Sequence, residues 1–378
     1  MSAFAELEAA AVEAAALAHL GRLVELESPS GEEARLRAVA AWLAGRLAAL
    51  GADVETMDVA GVGEHVIARI AGADATLEPI VVLGHLDTVH PVGTFDPVFT
   101  IEEDRARGPG VFDMKGGWAC VLEALVRLRV AGAAPRRPTV LLATCDEETG
   151  SGSSRALIEQ TARGARAVLV PEPPLPDGGA KTRRKGVGGY RLEVTGRAAH
   201  AGVDPERGVN AIVELAHHIL AATALADGER GTTISVGATG GGTASNVVPA
   251  SAWAVVDVRF ASAAEGDRVD AAIRSLRPRL QDAALRVTGG VNRPPVERTE
   301  ANAALYGAAR ALAAEAGWEL GEGSTGGGSD GSFTAGMGVP TLDGIGPRGG
   351  GAHAVDEHIV VGDLPRRVTL YGRLLETL

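Results

Sequence analysis

The sequence predicts an α/β protein built on a mostly parallel central sheet, with a second, ferredoxin-like α+β domain inserted into it. Three observations carry this prediction. Short apolar runs such as Ile80 to Leu83 and Thr139 to Thr144 alternate with helical patterns through the first half of the chain, as parallel strands covered on both faces do. From about residue 187 the texture changes to a β-α-β-β-α-β order, the split arrangement of ferredoxin-like domains. After Pro294-Pro295, read as a return linker, the first texture resumes. The expected boundaries are 1–183 for the first segment of the larger domain, 184–293 for the insertion and 294–378 for the second segment.

The elements follow in order. Alanine and leucine recur at helical spacing over 4–27, and Ser28-Pro29-Ser30-Gly31 ends that helix. Ser30 followed by Glu33 has the form of a capping box, opening a second helix that Gly51 would close. Strands are expected at 53–59, 65–70 and 80–85, then a helix at 115–130 running into Gly132, a strand at 139–144, a helix near 153–162 and a strand at 166–170. In the insertion the strands are 187–195, 232–238, 252–260 and 285–288, with helices at 209–226 and 265–280. Helices near 301–316 and 363–377 and a strand at 339–343 complete the larger domain.

Composition narrows the function classes. At 378 residues the chain has the length of two domains and can bury a sizeable core. A formal net charge of -12 argues against nucleic-acid and anionic-membrane partners. The one basic cluster, Lys181-Thr182-Arg183-Arg184-Lys185, reads as a solvated surface. Cys120 and Cys145 are the only cysteines, too few for a disulfide framework and not in a Cys-x-x-Cys spacing. Met1 to Glu6 lacks the basic region of a secretory leader, and no stretch reaches the roughly eighteen apolar residues of a membrane span. A cytoplasmic protein is the expectation.

The chemistry gathers at strand ends. His85 and Asp87 lie two apart at the end of the run beginning at Ile80 and share a face. A metal-ligating histidine commonly has its second ring nitrogen fixed by a carbonyl or carboxylate, so His-x-Asp is a candidate half of a metal site. The loop Gly108 to Gly117 places Asp113 before a helix, where it could bridge two cations or serve as a plain N-cap. Asp146-Glu147-Glu148 closes the next strand, and three adjacent acids repel one another unless something positive lies among them. One glutamate on a metal with its neighbour acting as a base for water accounts for this. Glu172 follows the strand after that, and open α/β sheets bind ligands beyond the carboxyl ends of their strands. His353 follows Gly349-Gly350-Gly351, which again suggests close approach to a ligand. His358 has no such setting and reads as a surface or core residue.

Together these fragments resemble the M20 metallopeptidases, closest in pattern to the glutamate carboxypeptidases. The likeness spans nearly the whole chain, from Gly84-His85-Leu86-Asp87-Thr88-Val89 through Gly110 to Gly117, Asp146 to Gly150, Val170 to Pro173, Gly196 to Gly202 and Gly241 to Pro249 to Gly351-Ala352-His353. It implies a zinc-peptidase-type catalytic domain with an inserted dimerisation (lid) domain, and hence a homodimer. It further implies two zinc ions, with cobalt or manganese as substitutes: His85 and Glu172 complete one site, Glu148 and His353 the other, and Asp113 bridges them, its bond to Met114 commonly cis. Glu147 would be the general base and Asp87 the carboxylate orienting His85. His200 and Asn246 would polarise the scissile carbonyl, His200 reaching the active site of the partner subunit, and Arg259 would grip the substrate's free α-carboxylate. The implied reaction is hydrolysis of the amide before a C-terminal residue such as glutamate, in a small peptide or N-acyl amino acid.

Other readings compete. An N-acyl-amino-acid deacylase of the acetylornithine or succinyldiaminopimelate type would use every one of these residues. Gly327-Gly328-Ser329-Asp330-Gly331 fits a nucleophile elbow, with Ser329, Asp343 and His353 in the order of an α/β-hydrolase triad, but no apolar strand runs into the first glycine. Gly344 to Gly349 fits a dinucleotide fingerprint, yet Pro347 and the missing helix make it a loop. A non-catalytic metal-binding scaffold that keeps the fold would be expected to lack a ligand or the base, and all are present.

Overall fold

The computed structural model describes residue 4 and residues 8–378. The expected first helix is described over Ala9–Glu25; its first turn at 5–7 and, Phe4 apart, the Met1 to Glu6 segment lie outside the described residues. The chain forms two compact units. One comprises the residues up to Arg183 with Arg298–Thr325 and Ser329–Leu378; the other comprises Arg184–Glu297 with Gly326–Gly328.

Among the described residues, the main sheet of the larger unit runs Asp53–Val59, Gly63–Ile70, Thr139–Thr144, Ile80–His85, Ala167–Val170, Thr341–Asp343, Ala180–Arg184, Glu322–Thr325 from edge to edge. Its centre, from Thr139–Thr144 to Thr341–Asp343, is parallel; the pairings from Asp53–Val59 to Thr139–Thr144, and that of Thr341–Asp343 with Ala180–Arg184, are antiparallel. Strand side chains alternate between faces, and both faces are covered. Ile80, Val82, Leu141 and Leu169 enter the core beneath the helices Ala9–Glu25, Glu33–Ala49, Gly116–Val130 and Leu364–Thr377. Val81, Leu83, Leu142 and Val168 enter a second cluster with Ile158 and Phe333 on the opposite face. That two-sided burial explains why the Ile80 strand is apolar without alternation.

The central strand Ile80–His85 has Thr139–Thr144 on one side and Ala167–Val170 on the other. The connection to the first runs through the helix Gly116–Val130, packed in one core, and the connection to the second through Arg155–Ala162, packed in the other. The chain therefore changes direction about His85, and such a reversal opens a crevice at the carboxyl ends of the strands.

Two local expectations are corrected. Ser30 and Glu33 form no capping box: the helix Glu33–Ala49 has Glu32 at its N-cap and no side-chain cap, because the Ser30 hydroxyl donates to the Asp87 carboxylate at 2.8 Å. The basic run at 181–185 is not a solvated patch. It forms the strand Ala180–Arg184, in which Thr182 and Arg184 are buried and Arg184 donates to the Gly327 and Gly328 carbonyls at 3.2 and 3.0 Å. A further small sheet joins Thr100–Glu102, Arg105–Arg107, Gly349–Gly350 and His358–Val360; its strands are too short to show a period.

The smaller unit is an antiparallel sheet in the order Thr233–Gly241, Ser251–Phe260, Gly186–Thr195, Ala284–Arg293. Leu192 and Val194, with Ala254, Val256 and Val258, point to one face, where Leu215, Val269 and Ile273 of the helices Ala211–Thr223 and Ala263–Arg274 cover them. Asn210 caps the first of these helices, accepting the Ile212 and Val213 N–H groups. This is the ferredoxin-like pattern of sheet and paired helices.

Candidate metal centre

Three parallel strands end at the crevice and each supplies a ligand-type residue. Ile80–His85 ends in His85 itself, Thr139–Thr144 leads into the 3-10 turn Glu147–Thr149, and Ala167–Val170 leads to Glu172. Asp113 lies in the turn Val111–Lys115 ahead of the helix Gly116–Val130, and its peptide bond to Met114 is cis. His353 sits at the tip of the hairpin formed by Gly349–Gly350 and His358–Val360. Its φ of 64° lies in the left-handed region, uncommon for a residue with a side chain and frequent where a site dictates the backbone.

Asp113 stands between two histidines. Its Oδ1 lies 3.2 Å from His85 Nε2, and its Oδ2 lies 3.5 Å from His353 Nε2. Glu172 Oε1 is 3.6 Å from the same His85 nitrogen, while Glu148 Oε2 is 3.2 Å from the His353 nitrogen. The side chains thus fall into two nitrogen-and-oxygen sets that share one carboxylate. Atoms of His85, Asp113 and Glu148 come within 4.8 Å of one another, close enough for one ion.

The surroundings hold these groups in place. His85 Nδ1 lies 2.9 Å from the Asp87 carbonyl oxygen and 3.5 Å from its carboxylate, so the carbonyl, rather than the expected carboxylate, orients the ring. The fully buried Asp87 carboxylate instead accepts the N–H groups of Glu147 and Glu148, both at 3.2 Å, and the Ser30 hydroxyl. Asp146 does not join the centre. It turns inward to accept from Ser153 N–H and Oγ, both at 2.7 Å, leaving two of the three adjacent acids to the site. Buried His65 accepts the Cys145 N–H at 3.1 Å and bonds Ser153 at 3.0 Å, bracing the same turn.

The electrostatics mark a site short of positive charge. Burial opposes a charge on His85, but Asp113 and Asp87 outweigh it and raise its pKa well above the ordinary value. Asp113 raises His353 to about 9 against the effect of burial, with Glu148 adding to the rise. Burial, aided by the Asp113 and Glu147 charges, pushes Glu148 up to about 8. Asp113 is held well below the usual carboxylate range, its burial overcome by His353 and His85. Glu148 Oε1 is also buried with no hydrogen-bond partner. Divalent cations would answer both features, replacing the histidine protons and occupying the orphaned oxygen. The donor set suits zinc.

Ser329 is no nucleophile. Its hydroxyl is fully buried and donates to Asp343, whereas His353 faces Asp113 and Glu148. In the smaller unit, His200 and Asn246 are brought together by the His200–Val247 bridge and the Ala201 N–H to Asn246 carbonyl bond of 3.0 Å. His200 Nδ1 accepts the Gly202 N–H at 3.1 Å, which leaves a proton on Nε2 of the exposed ring. Beside them an open groove of about 470 Å³ is lined by Ala201, Asn210, Ser245 and Val247 among others. Arg259 is not a free fork: its guanidinium makes two bonds of 2.9 Å to Asp257. Sequence reasoning missed Ser30 because its spacing to Glu33 imitates a cap. It passed over Glu357 because nothing in Asp356-Glu357-His358 reveals where a loop carboxylate points.

Comparison with known proteins extends this picture. Residues 81–377 match the model of "Peptidase family M20/M25/M40". Carboxypeptidase G2 of a Pseudomonas strain is 33% identical over 367 residues, covering 94% of this chain and 87% of that protein. Succinyl-diaminopimelate desuccinylase of Methylorubrum extorquens is 33% identical over 359 residues, covering 89% and 92%. Among solved structures, aminopeptidase PepT of Bacillus cereus superposes with a TM-score of 0.80 at 22% identity over 96% of this chain and 98% of that one. The M20 family metallo-carboxypeptidase Sso-CP2 of Sulfolobus solfataricus gives 0.75 at 20% identity over 95% and 98%; both likenesses speak to the fold.

Proposed function

For this chain, which belongs to peptidase family M20/M25/M40 and is a metal-dependent hydrolase, we propose a carboxypeptidase activity. The enzyme cleaves the amide before a C-terminal amino acid that carries a free α-carboxylate, with glutamate or a similar residue released. The observation that carries this reading is Asp113 flanked by His85 with Glu172 on one side and His353 with Glu148 on the other. The likeness to carboxypeptidase G2 across 94% of the chain supports the direction of cleavage.

Two zinc ions, if held by these five residues, would supply a water of lowered pKa and polarise the scissile carbonyl. The chain's own residues do the rest. Asp87 holds the Glu147–Glu148 turn through its two N–H bonds, so that Glu147 stands beside the ligands without being one. Glu147 accepts the proton of the attacking water and delivers it to the leaving amine. In the partner subunit's active site His200, with its Nε2 proton, donates to the carbonyl oxygen as charge develops on it, with Asn246 helping. Arg259 binds the substrate α-carboxylate, exchanging it for Asp257. The enzyme acts as a homodimer.

A deacylase is the second reading, favoured by the equal 33% identity to succinyl-diaminopimelate desuccinylase. A release assay over peptidyl and N-acyl derivatives of glutamate, aspartate, arginine, ornithine and alanine, with N-succinyl-diaminopimelate, separates the two. Fastest release of glutamate from peptidyl substrates supports the carboxypeptidase; preference for the succinyl compound replaces it with the deacylase.

A further inference from the structure

We infer that Glu357 is a positioning residue that locks the loop bearing Asp113 to the hairpin bearing His353, so that both present their side chains to the same cations. The inference rests on the metal-centre reading above. Glu357 is 1% exposed, yet its carboxylate touches no residue assigned to substrate or metal through a side chain. Its Oε1 accepts the backbone N–H groups of Phe112 and Asp113 at 2.8 and 2.9 Å. Its Oε2 accepts Gly110 N–H at 3.1 Å and lies 2.6 Å from Nε2 of buried His90, which is itself held edge-on against Phe95.

Four donors therefore converge on one buried carboxylate, a group that only accepts. The other end of the residue is tied as firmly. Glu357 N–H donates to the Ala354 carbonyl at 3.1 Å, and Ala354 N–H donates to Gly351 at 2.8 Å. Two hydrogen bonds thus connect the backbone of Asp113 with the residue next to His353, although the two ligands are 240 positions apart in sequence. Gly110 at φ 70° lets the loop curl so that its N–H groups face the carboxylate, and a Cβ there would lie 2.4 Å from Thr88 Cγ2. Without the clasp, the split of the Asp113 oxygens between His85 and His353 would depend on loops held by short strand pairings alone.

Glu357→Gln tests this, because the amide offers one accepting oxygen and turns N–H groups toward N–H donors. Zinc affinity and stoichiometry are measured on the full-length protein by competition with a chromophoric chelator, alongside kcat, KM and the Tm of the metal-free forms. The expected result is zinc binding weakened roughly 10- to 100-fold, as for other residues that orient metal ligands. The lost activity should fall in kcat rather than KM, and excess zinc should recover part of it. Glu357→Asp, which keeps the charge but loses reach, should fall between the two. Wild-type zinc affinity in folded Glu357→Gln overturns the inference, as does a loss explained wholly by a lowered metal-free Tm. If Glu357→Gln does not fold, His90→Ala removes one of the four donors and should weaken zinc by up to roughly 10-fold; unchanged affinity there has the same overturning force. A wild-type protein that binds no zinc refutes the metal-centre reading itself.

Discussion

The candidate metal centre of the larger unit and the loops of the smaller one proposed to contact substrate are built in opposite ways. At the sheet edge, His85 and Asp87 are buried and each has fixed hydrogen-bond partners. In the smaller unit, His200 and Asn246 are exposed in loops, and Arg259 is engaged by a neighbouring carboxylate. The difference separates two requirements. Cations at high charge density need donors fixed before they arrive, whereas groups that follow a substrate must exchange one partner for another.

Substitution at the fixed end gives the largest effect. Glu147→Gln should keep both metals and lower kcat by ~10²-fold or more, because the residue is assigned to the water rather than to the cations. Glu148→Gln should lose metal, measured as ions per chain. The reverse pattern in the metal analysis would exchange the two assignments.

At the adaptable end the effects are smaller. Converting the substrate's α-carboxylate to an amide should raise KM by ~10-fold or more if Arg259 pairs with it. Asp257→Asn should lower KM for carboxylate substrates by about 2- to 5-fold, since it removes a half-exposed competitor, and should leave the amide unaffected. Equal turnover of acid and amide would instead indicate an aminopeptidase-like mode, and an unchanged KM in Asp257→Asn would mean that Arg259 stays with its neighbour.

A pH series sharpens the contrast further. His353 near 9 and Glu148 near 8 both lie above their ordinary values. Their protonated forms are therefore favoured in the folded metal-free protein. That contribution is complete below the ordinary values and is lost as pH rises through the raised ones. Metal binding displaces the same protons, so the rise in Tm on adding zinc should grow between about pH 6 and 9. Differential scanning fluorimetry across that range checks it, and a zinc-induced shift independent of pH would contradict the assignment of His353 and Glu148 as ligands.

Much of the fold was legible because long strands and helices leave a periodic trace. The Ile80 strand and the order of elements in the insertion are visible as patterns. The strand at 180–184 was hidden by its charges, although its alternation of buried and exposed residues is plain once the partners are known. His85, Glu148 and Glu172 were readable because strand ends carry them to one edge, and Asp113 and His353 because glycine-rich loops precede them. Their supports were not: Ser30, His65 and Glu357 act through bonds between segments 57 to 267 positions apart, and sequence spacing holds no record of such partners. Asp146 and Glu148 look equivalent in sequence, and the Ser153 and Ser154 contacts separate the structural acid from the candidate ligand.

Whether the hydrolysis depends on cations held by the Asp113 cluster is decided by a metal titration of the chelated enzyme. Exhaustive chelation should abolish hydrolysis of a peptidyl glutamate substrate, and activity should rise with added zinc and saturate near two ions per chain, the number assigned to the two ligand sets. Full activity in protein shown by elemental analysis to be free of metal would contradict it.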